Sequence, residues 1–134
     1  MIYEVTFQVC VSDFNKGVDW YKALLQREPD FKAHGGFVEW ELLPGAWLQV
    51  AEGTPVEGNG PFRLGVTSIE EERQRICTAL NVEEFEIFSR DGVPVTWGTF
   101  TDPWGNRIGL FEYINEEEKQ AKVRSLANLT AGKL

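Results

Sequence analysis

The 134-residue sequence predicts an α+β domain in which one order of elements, a strand, a helix and three strands, occurs twice. Apolar and polar residues alternate through residues 2–11, which is the period of a half-buried strand. An apolar stripe with spacings of three and four follows directly and is typical of an amphipathic helix. The two halves of the chain also match in pattern at a shift of 55 residues, so that Phe7 aligns with Phe62 and Tyr21 with Ile76.

The first unit covers residues 1–52. Ser12 or Asp13 is the expected N-cap of its helix, and Pro29 is expected to end that helix. Its strands are predicted at residues 2–11, near 31–33, at 37–43 and at 47–52. The alternation at 37–43 leaves open which of two sets points into the core: Phe37, Glu39 and Glu41, or Val38, Trp40 and Leu42.

A linker rich in Gly, Pro and Asn is predicted at residues 53–60. The second unit, residues 61–113, has a helix that begins after Ser68 and predicted strands at 62–67, 85–89, 95–101 and 107–113. Residues 115–130 predict a further helix with Asn115 as its N-cap. Its apolar residues Ala121, Leu126 and Leu129 would dock on the domain or on a second subunit, and the sequence leaves both open.

Composition narrows the class of function. The formal net charge of −8 argues against nucleic acid as a partner, because its phosphates would be repelled. No apolar run approaches the roughly 20 residues that span a membrane, and no signal-peptide pattern is present, so a cytoplasmic location is expected. Cys10 and Cys77 are expected to be buried thiols. His34, the single histidine, is expected in an exposed turn and is an unfavourable general acid or base.

Two motifs carry a resemblance to a known family. Val11-Ser-Asp13 is followed by Trp20-Tyr21, and Trp97-Gly98 leads into the turn Asp102-Pro-Trp-Gly-Asn-Arg-Ile108. Over residues 1–113 the chain resembles the vicinal oxygen chelate superfamily of glyoxalases, bleomycin-resistance proteins and extradiol dioxygenases. The resemblance implies two tandem βαβββ modules that form a curved mixed sheet around a ligand cup, with the helices outside.

Metal-dependent members of that family hold the ion with side chains at positions that correspond here to Thr6, Gln49, Pro61 and Gly109. Only Gln49 offers an ordinary ligand atom, so we expect no metal and no other cofactor. No nucleophile with an adjacent base is visible either, and no catalytic residue is assigned.

If the apolar face of each strand packs on the helices, the opposite face lines the cup. The candidate ligand-binding residues on that face are Thr6, Gln8, Trp47, Gln49, Arg63, Trp97, Gly109 and Phe111. Arg63 is expected to pair with Glu39 or Glu41, or else to bind a ligand carboxylate. Gly65 and Gly109 serve either strand curvature or ligand space. Trp40 and Trp47 are each open between core and pocket.

The function implied by the resemblance is sequestration of a small molecule, as in bleomycin-resistance proteins. The expected partner is a planar, aromatic or cationic ligand bound without a metal by a homodimer. The alternative is a glyoxalase- or dioxygenase-like metalloenzyme, a lyase, isomerase or oxygenase acting on a small oxygenated substrate. A third possibility is a regulatory module whose acidic tail engages a protein partner.

Overall fold

The computed structural model describes residues 1–131, without the side chains of residues 33, 34, 130 and 131, so the expectation for His34 lies outside the described side chains. Three helices and two sheets give the predicted α+β class. The elements in chain order are β1 (Val5–Val11), α1 (Phe14–Leu25), β2 (Phe31–His34), β3 (Phe37–Leu43), β4 (Ala46–Glu52), β5 (Phe62–Gly65), α2 (Ile69–Leu80), β6 (Val95–Thr101), β7 (Arg107–Tyr113) and α3 (Glu116–Ala131).

The two units share one topology. The first sheet has the order β1-β4-β3-β2 and the second has the order β5-β7-β6, so in each unit the first strand lies parallel to the last. The two sheets are separate and do not close into a barrel. The units contact each other between α1 and α2, and between β1 and β5 the rings of Phe7 and Phe62 lie 5.0 Å apart.

The strand predicted at residues 85–89 is wrong. Only Phe88 of this segment pairs, in an isolated bridge with Trp97. The carbonyl of Phe85 accepts a hydrogen bond from the guanidinium of Arg73 at 3.0 Å, so α2 takes a backbone group that a ladder would need. The ring of Phe85 nevertheless stacks on Phe100 at 5.1 Å, which keeps the segment along β6.

The register of the first sheet settles the facing of β3. Val38 and Trp40 are 1% and 0% exposed, whereas Glu39 lies on the other face of the sheet, where it is paired with Gln49 of β4. The indole N–H of Trp40 donates to the carbonyl of Arg27 at 3.0 Å, so its polar group is satisfied inside the core. Trp40 is therefore a core residue. We call the face of each sheet that points away from this core its open face.

The helix ends show which local signals acted. Asp13 caps α1 by accepting from the N–H of Lys16, and Ser68 caps α2 by accepting from the N–H of Glu71. The prediction that Pro29 ends α1 is wrong. The helix already ends at Leu25, because Gln26 adopts a left-handed conformation with φ 59° and its N–H bonds back to the last turn.

A buried polar network joins the two units. Asp102, 4% exposed, accepts from the hydroxyl of Tyr21 at 2.6 Å and from the side chain of Asn106 at 2.8 Å. The Asn106 amide also donates to the carbonyl of Cys10 at 3.1 Å. The turn after β6 is thus fixed to both α1 and β1. Burial, together with the Asp102 carboxylate, holds the pKa of Tyr21 far above its usual range, so Tyr21 remains the donor.

The C-terminal helix α3 is anchored by its first turns. Asn115 caps it by accepting from the N–H of Glu118, and the ammonium of Lys119 bonds the carboxylate of Glu112 at 2.8 Å and the carbonyl of Thr67 at 3.0 Å. Residues 121–129 are exposed, so this part of α3 is not buried in its own domain. No helix in residues 1–131 has the length and apolar character needed to span a membrane.

Acidification is expected to loosen this anchor. Partial burial raises the pKa of Glu112, but hydrogen bonds from Lys119 and from the N–H of Ile69 outweigh it and hold that pKa below its usual range. A carboxylate with a lowered pKa stabilises the fold fully above its ordinary pKa of about 4.3, and this contribution is lost as pH falls through the lowered value.

Melting curves of the parent protein and of Glu112→Gln, recorded between pH 7 and pH 3, test this expectation. We expect the parent to melt higher at pH 7 and the difference to vanish at the acid end. Glu117→Gln, in the first turn of α3 and exposed, is the control and should follow the parent throughout. A difference that does not change with pH would remove the role given to the Glu112 carboxylate.

Candidate functional site

The eight predicted ligand-binding residues lie on the open faces in two groups of four. The first-sheet group pairs directly across β1 and β4, with Thr6 opposite Trp47 and Gln8 opposite Gln49. The second-sheet group pairs across three strands, with Arg63 opposite Gly109 and Phe111 opposite Trp97. None of the described cavities contains residues of both groups.

The first-sheet group lies beside carboxylates. The indole N–H of Trp47 donates to Glu4 at 3.1 Å, and the amide of Gln49 donates to Glu39 at 3.0 Å. Thr6 and Gln8 are exposed, while Trp47 and Gln49 are half-buried. This group forms an acidic surface on which Trp47 and Gln49 already bond carboxylates of the same chain.

The second-sheet group is built around an exchange of glycines and large side chains between β5 and β7. A Cβ placed on Gly109 would lie 2.9 Å from Cγ and 3.2 Å from Nη1 of Arg63, so the arginine lies across the glycine. A Cβ on Gly65 would lie 3.0 Å from the ring of Phe111. Both glycines therefore make room for a neighbouring side chain of the same chain, and Arg63 and Phe111 form a continuous floor.

A cavity of about 340 Å³ opens on one side of this floor. It is lined by Arg63, Arg90, Val93, Val95, Trp97 and Phe111, and we call it the arginine cavity. Trp97 is half-buried and stacks on Phe88 with ring centroids 5.9 Å apart, which holds the indole in place from behind. The volume of the arginine cavity lies at the lower end of the range for small-molecule sites.

Arg63 does not form the ion pair expected for it. It is exposed, so the desolvation cost that favoured a glutamate partner does not arise. Within the described part of the chain, no carboxylate lies within 4.0 Å of Arg63 or of Arg90. Glu39 is instead bonded to Gln49.

A second cavity of about 370 Å³ lies on the other side of the same floor, between β5, β7 and the anchored end of α3. Two of its cations are already engaged, since Lys119 is paired with Glu112 and the ammonium of Lys122 lies 4.7 Å from the centre of the Tyr113 ring. Its third cation, Arg63, also lines the arginine cavity. A larger depression of about 560 Å³, beside Trp20 and the end of α2, contains none of the predicted residues.

The residues present do not fit the family's metal. At the corresponding positions Thr6 is an exposed hydroxyl, the Gln49 amide is bonded to Glu39, and Gly109 is covered by the cationic side chain of Arg63. Among the described side chains, no three of His, Cys, Asp or Glu converge as a metal site would require.

No group in the site has the features of a nucleophile or proton carrier. Cys10 and Cys77 are free and half-buried, without a disulfide between them.

The sequence missed Arg90 and Val93, which come from the loop before β6 and follow no periodic pattern. Val95 could have been predicted from the sequence, because it lies two residues from Trp97 on the same strand and therefore points to the same face.

Comparison with known proteins identifies solved structures of the same fold. No protein-family model and no curated protein matches the sequence. A solved glyoxalase/bleomycin resistance protein from Catenulispora acidiphila DSM 44928 is 26% identical, with a TM-score of 0.67 over 81% of this chain and 96% of that one. The fosfomycin resistance protein FosX from Listeria monocytogenes is 19% identical, with a TM-score of 0.65 over 86% and 95%. A lactoylglutathione lyase from Agrobacterium tumefaciens is 15% identical, with a TM-score of 0.62 over 81% and 91%.

The repeated unit with parallel first and last strands defines a tandem α+β module protein with open sheet faces. More particularly, the chain has the fold of the vicinal oxygen chelate superfamily, and the resemblance predicted from the hairpin motif is confirmed. The likeness to the fosfomycin resistance protein and to the lyase concerns the fold, since both are below 25% identical.

Proposed function

We propose that this chain is a small-molecule-binding protein of the glyoxalase/bleomycin-resistance type, which binds a planar ligand in the arginine cavity without a metal. The observation that carries the proposal is the pair of half-buried rings, Trp97 and Phe111, on an open sheet face. Rings in such a position contribute little to the core and present a flat apolar surface. The same fold in a bleomycin resistance protein supports the class.

Binding would proceed by stacking of the ligand on the floor of Arg63 and Phe111, with Trp97 as the adjacent wall. Aromatic contact area is rigid and costs little conformational entropy, which favours affinity for planar molecules. A cationic ligand would instead suit the first-sheet group, where Glu4 and Glu39 lie beside Trp47 and Gln49. Thr6 and Gln8 would orient a ligand bound on that surface.

Truncation of Trp97 tests the proposal. We expect Trp97→Ala to weaken binding of a planar probe, a naphthalene carboxamide, about tenfold in a calorimetric titration, because a stacking wall is lost. Trp20→Phe, on the helix side of the fold, is the control and should bind like the parent. A loss confined to Trp47→Ala would move the site to the first sheet, and full binding by both alanine variants would overturn the proposal.

The alternative function, a glyoxalase- or dioxygenase-like lyase, isomerase or oxygenase, is favoured by one observation, the fold shared with a lactoylglutathione lyase. It requires a metal or a relocated catalytic group. Metal analysis of the purified protein, together with activity lost on chelation, would distinguish it from simple binding. A stoichiometric metal would make the enzyme the better explanation.

We also propose that the protein is a cytoplasmic homodimer. The exposed apolar residues Val123, Leu126 and Leu129 of α3, between 38% and 57% exposed, support contact with a second copy. The free cysteines support a reducing compartment. Light scattering of the full chain measures whether it is a dimer. A monomer that binds another protein would favour the alternative in which the acidic tail engages a protein partner.

A further inference from the structure

The arginine cavity carries positive charge without any acidic side chain in its lining, in a protein whose formal net charge is −8. Acidic residues outnumber basic ones by 21 to 13 in the sequence. A concave surface with two guanidinium groups and no carboxylate is therefore opposite in charge to the molecule as a whole. Its charge attracts anions locally, although the protein repels them at long range.

Most other arginines of the chain are engaged in structural contacts, and the exception, Arg124 on the exposed part of α3, lines none of the described cavities. Arg75 donates to the carbonyls of Ala23 and Leu24 and pairs with Glu72 at 2.8 Å, which joins α2 to α1. The guanidinium of Arg107 donates to the carbonyls of Gly58 and Gly60 and holds the linker. The donors that make these bonds are occupied by the protein itself.

Arg63 and Arg90 differ from these because no side-chain hydrogen bond or ion pair joins either of them to another described residue. The position of the Arg63 side chain is nevertheless defined by its packing on β7. It lies across Gly109, with Nη1 3.2 Å from the position that a Cβ on Gly109 would take. An exposed guanidinium that bonds no other side chain is able to donate two parallel hydrogen bonds to a planar carboxylate.

We propose that the ligand of the arginine cavity is a planar aromatic carboxylate, with its acid group between Arg63 and Arg90 and its ring on Phe111 and Trp97. This inference rests on the proposed function and adds the charge of the ligand to it. It replaces the cationic ligand implied by the family resemblance, because the lining residues at Arg63, Arg90, Val93 and Val95 offer a cation no counter-charge.

Three naphthalene probes of equal shape and different charge test the inference: naphthoate, naphthamide and naphthylmethylammonium. Calorimetric titration at about 0.05 M salt is expected to give naphthoate an affinity at least tenfold above that of naphthamide and to give the ammonium the weakest binding. The preference for naphthoate should shrink as salt is raised, because the arginines are exposed.

Variants assign the preference to named side chains. Arg63→Gln and Arg90→Gln are each expected to lower naphthoate affinity more than naphthamide affinity, so that the ratio between the two affinities falls towards one. Arg124→Gln removes the same charge from exposed α3 and should bind naphthoate like the parent. Unfolding midpoints of all three verify that the variants are folded, as the exposure of the substituted side chains leads us to expect.

The outcomes separate the two proposals. Equal affinity for naphthoate and naphthamide, or unchanged naphthoate binding by both Gln variants, would overturn the anionic ligand and leave stacking intact. Tightest binding of the ammonium would overturn it in favour of a cation. Failure of all three probes to bind at millimolar concentration would remove the proposed function together with this inference.

Discussion

Replacing Asp102 with Ala is expected to lower the free energy of unfolding by about 3–5 kcal/mol, because several buried donors lose their acceptor at once. The carboxylate accepts from the hydroxyl of Tyr21 at 2.6 Å, from the N–H of Trp104 at 2.9 Å, and from the N–H and side chain of Asn106 at 2.9 and 2.8 Å. The variant also releases the Asn106 amide that holds Cys10. Urea denaturation of the purified chain measures the change.

Two comparisons make this expectation specific. Asp91→Ala removes an exposed carboxylate from a turn and should change stability by no more than about 0.5 kcal/mol. Tyr21→Phe removes one donor and leaves Asp102 with three, so a loss of about 1–2 kcal/mol is expected. If Asp102→Ala costs no more than Tyr21→Phe, the network does not join the two units as described.

The parts of the fold that the sequence predicted are those decided by neighbours in the chain. The hairpin arms Val95–Thr101 and Arg107–Tyr113 were predicted with their observed bounds, because turn residues and strict alternation specify them locally. The caps at Asp13, Ser68 and Asn115 are likewise local, since each side chain bonds an amide three residues ahead.

The parts that it missed depend on distant residues. The segment around Phe85 has strand-like composition, but the guanidinium of Arg73 takes its carbonyl, and this contact between α2 and the loop has no signature in local pattern. Asp102 was predicted as a turn residue, which is correct, yet its bond to Tyr21 spans 81 residues. Such contacts follow from how the two units pack, which periodicity does not specify.

The candidate site was predictable in its facing and not in its charge. Alternation placed Arg63 and Phe111 on the open face, as the pairing of β5 with β7 now has them. The exchange in which Arg63 fills the space over Gly109 depends on the register between strands 46 residues apart, since Arg63 lies opposite Gly109. Arg90 enters the cavity from a loop and doubles its positive charge, which is why we propose an anionic ligand where the sequence led us to expect a planar, aromatic or cationic one.

The two tryptophans that the sequence could not assign should respond oppositely to truncation. Trp40→Ala is expected to cost about 3–5 kcal/mol, because the side chain is 0% exposed and its loss leaves a cavity and frees the carbonyl of Arg27. Trp47→Ala removes a half-buried ring that donates to Glu4 near the surface and should cost about 1 kcal/mol.

Urea denaturation of the two variants compares the two faces of one sheet directly, because Trp40 and Trp47 lie on adjacent strands with opposite facing. Equal losses would mean that the open face of the first sheet is also covered, most simply by a second subunit, and dilution should then reduce the cost of Trp47→Ala. A larger loss for Trp47→Ala at every protein concentration would invert the facing of β3 and β4. The helices would then pack on the face that contains Glu39 and Gln49. That arrangement is physically unfavourable, because it would expose the buried residues Val38 and Leu48 and bury polar groups instead.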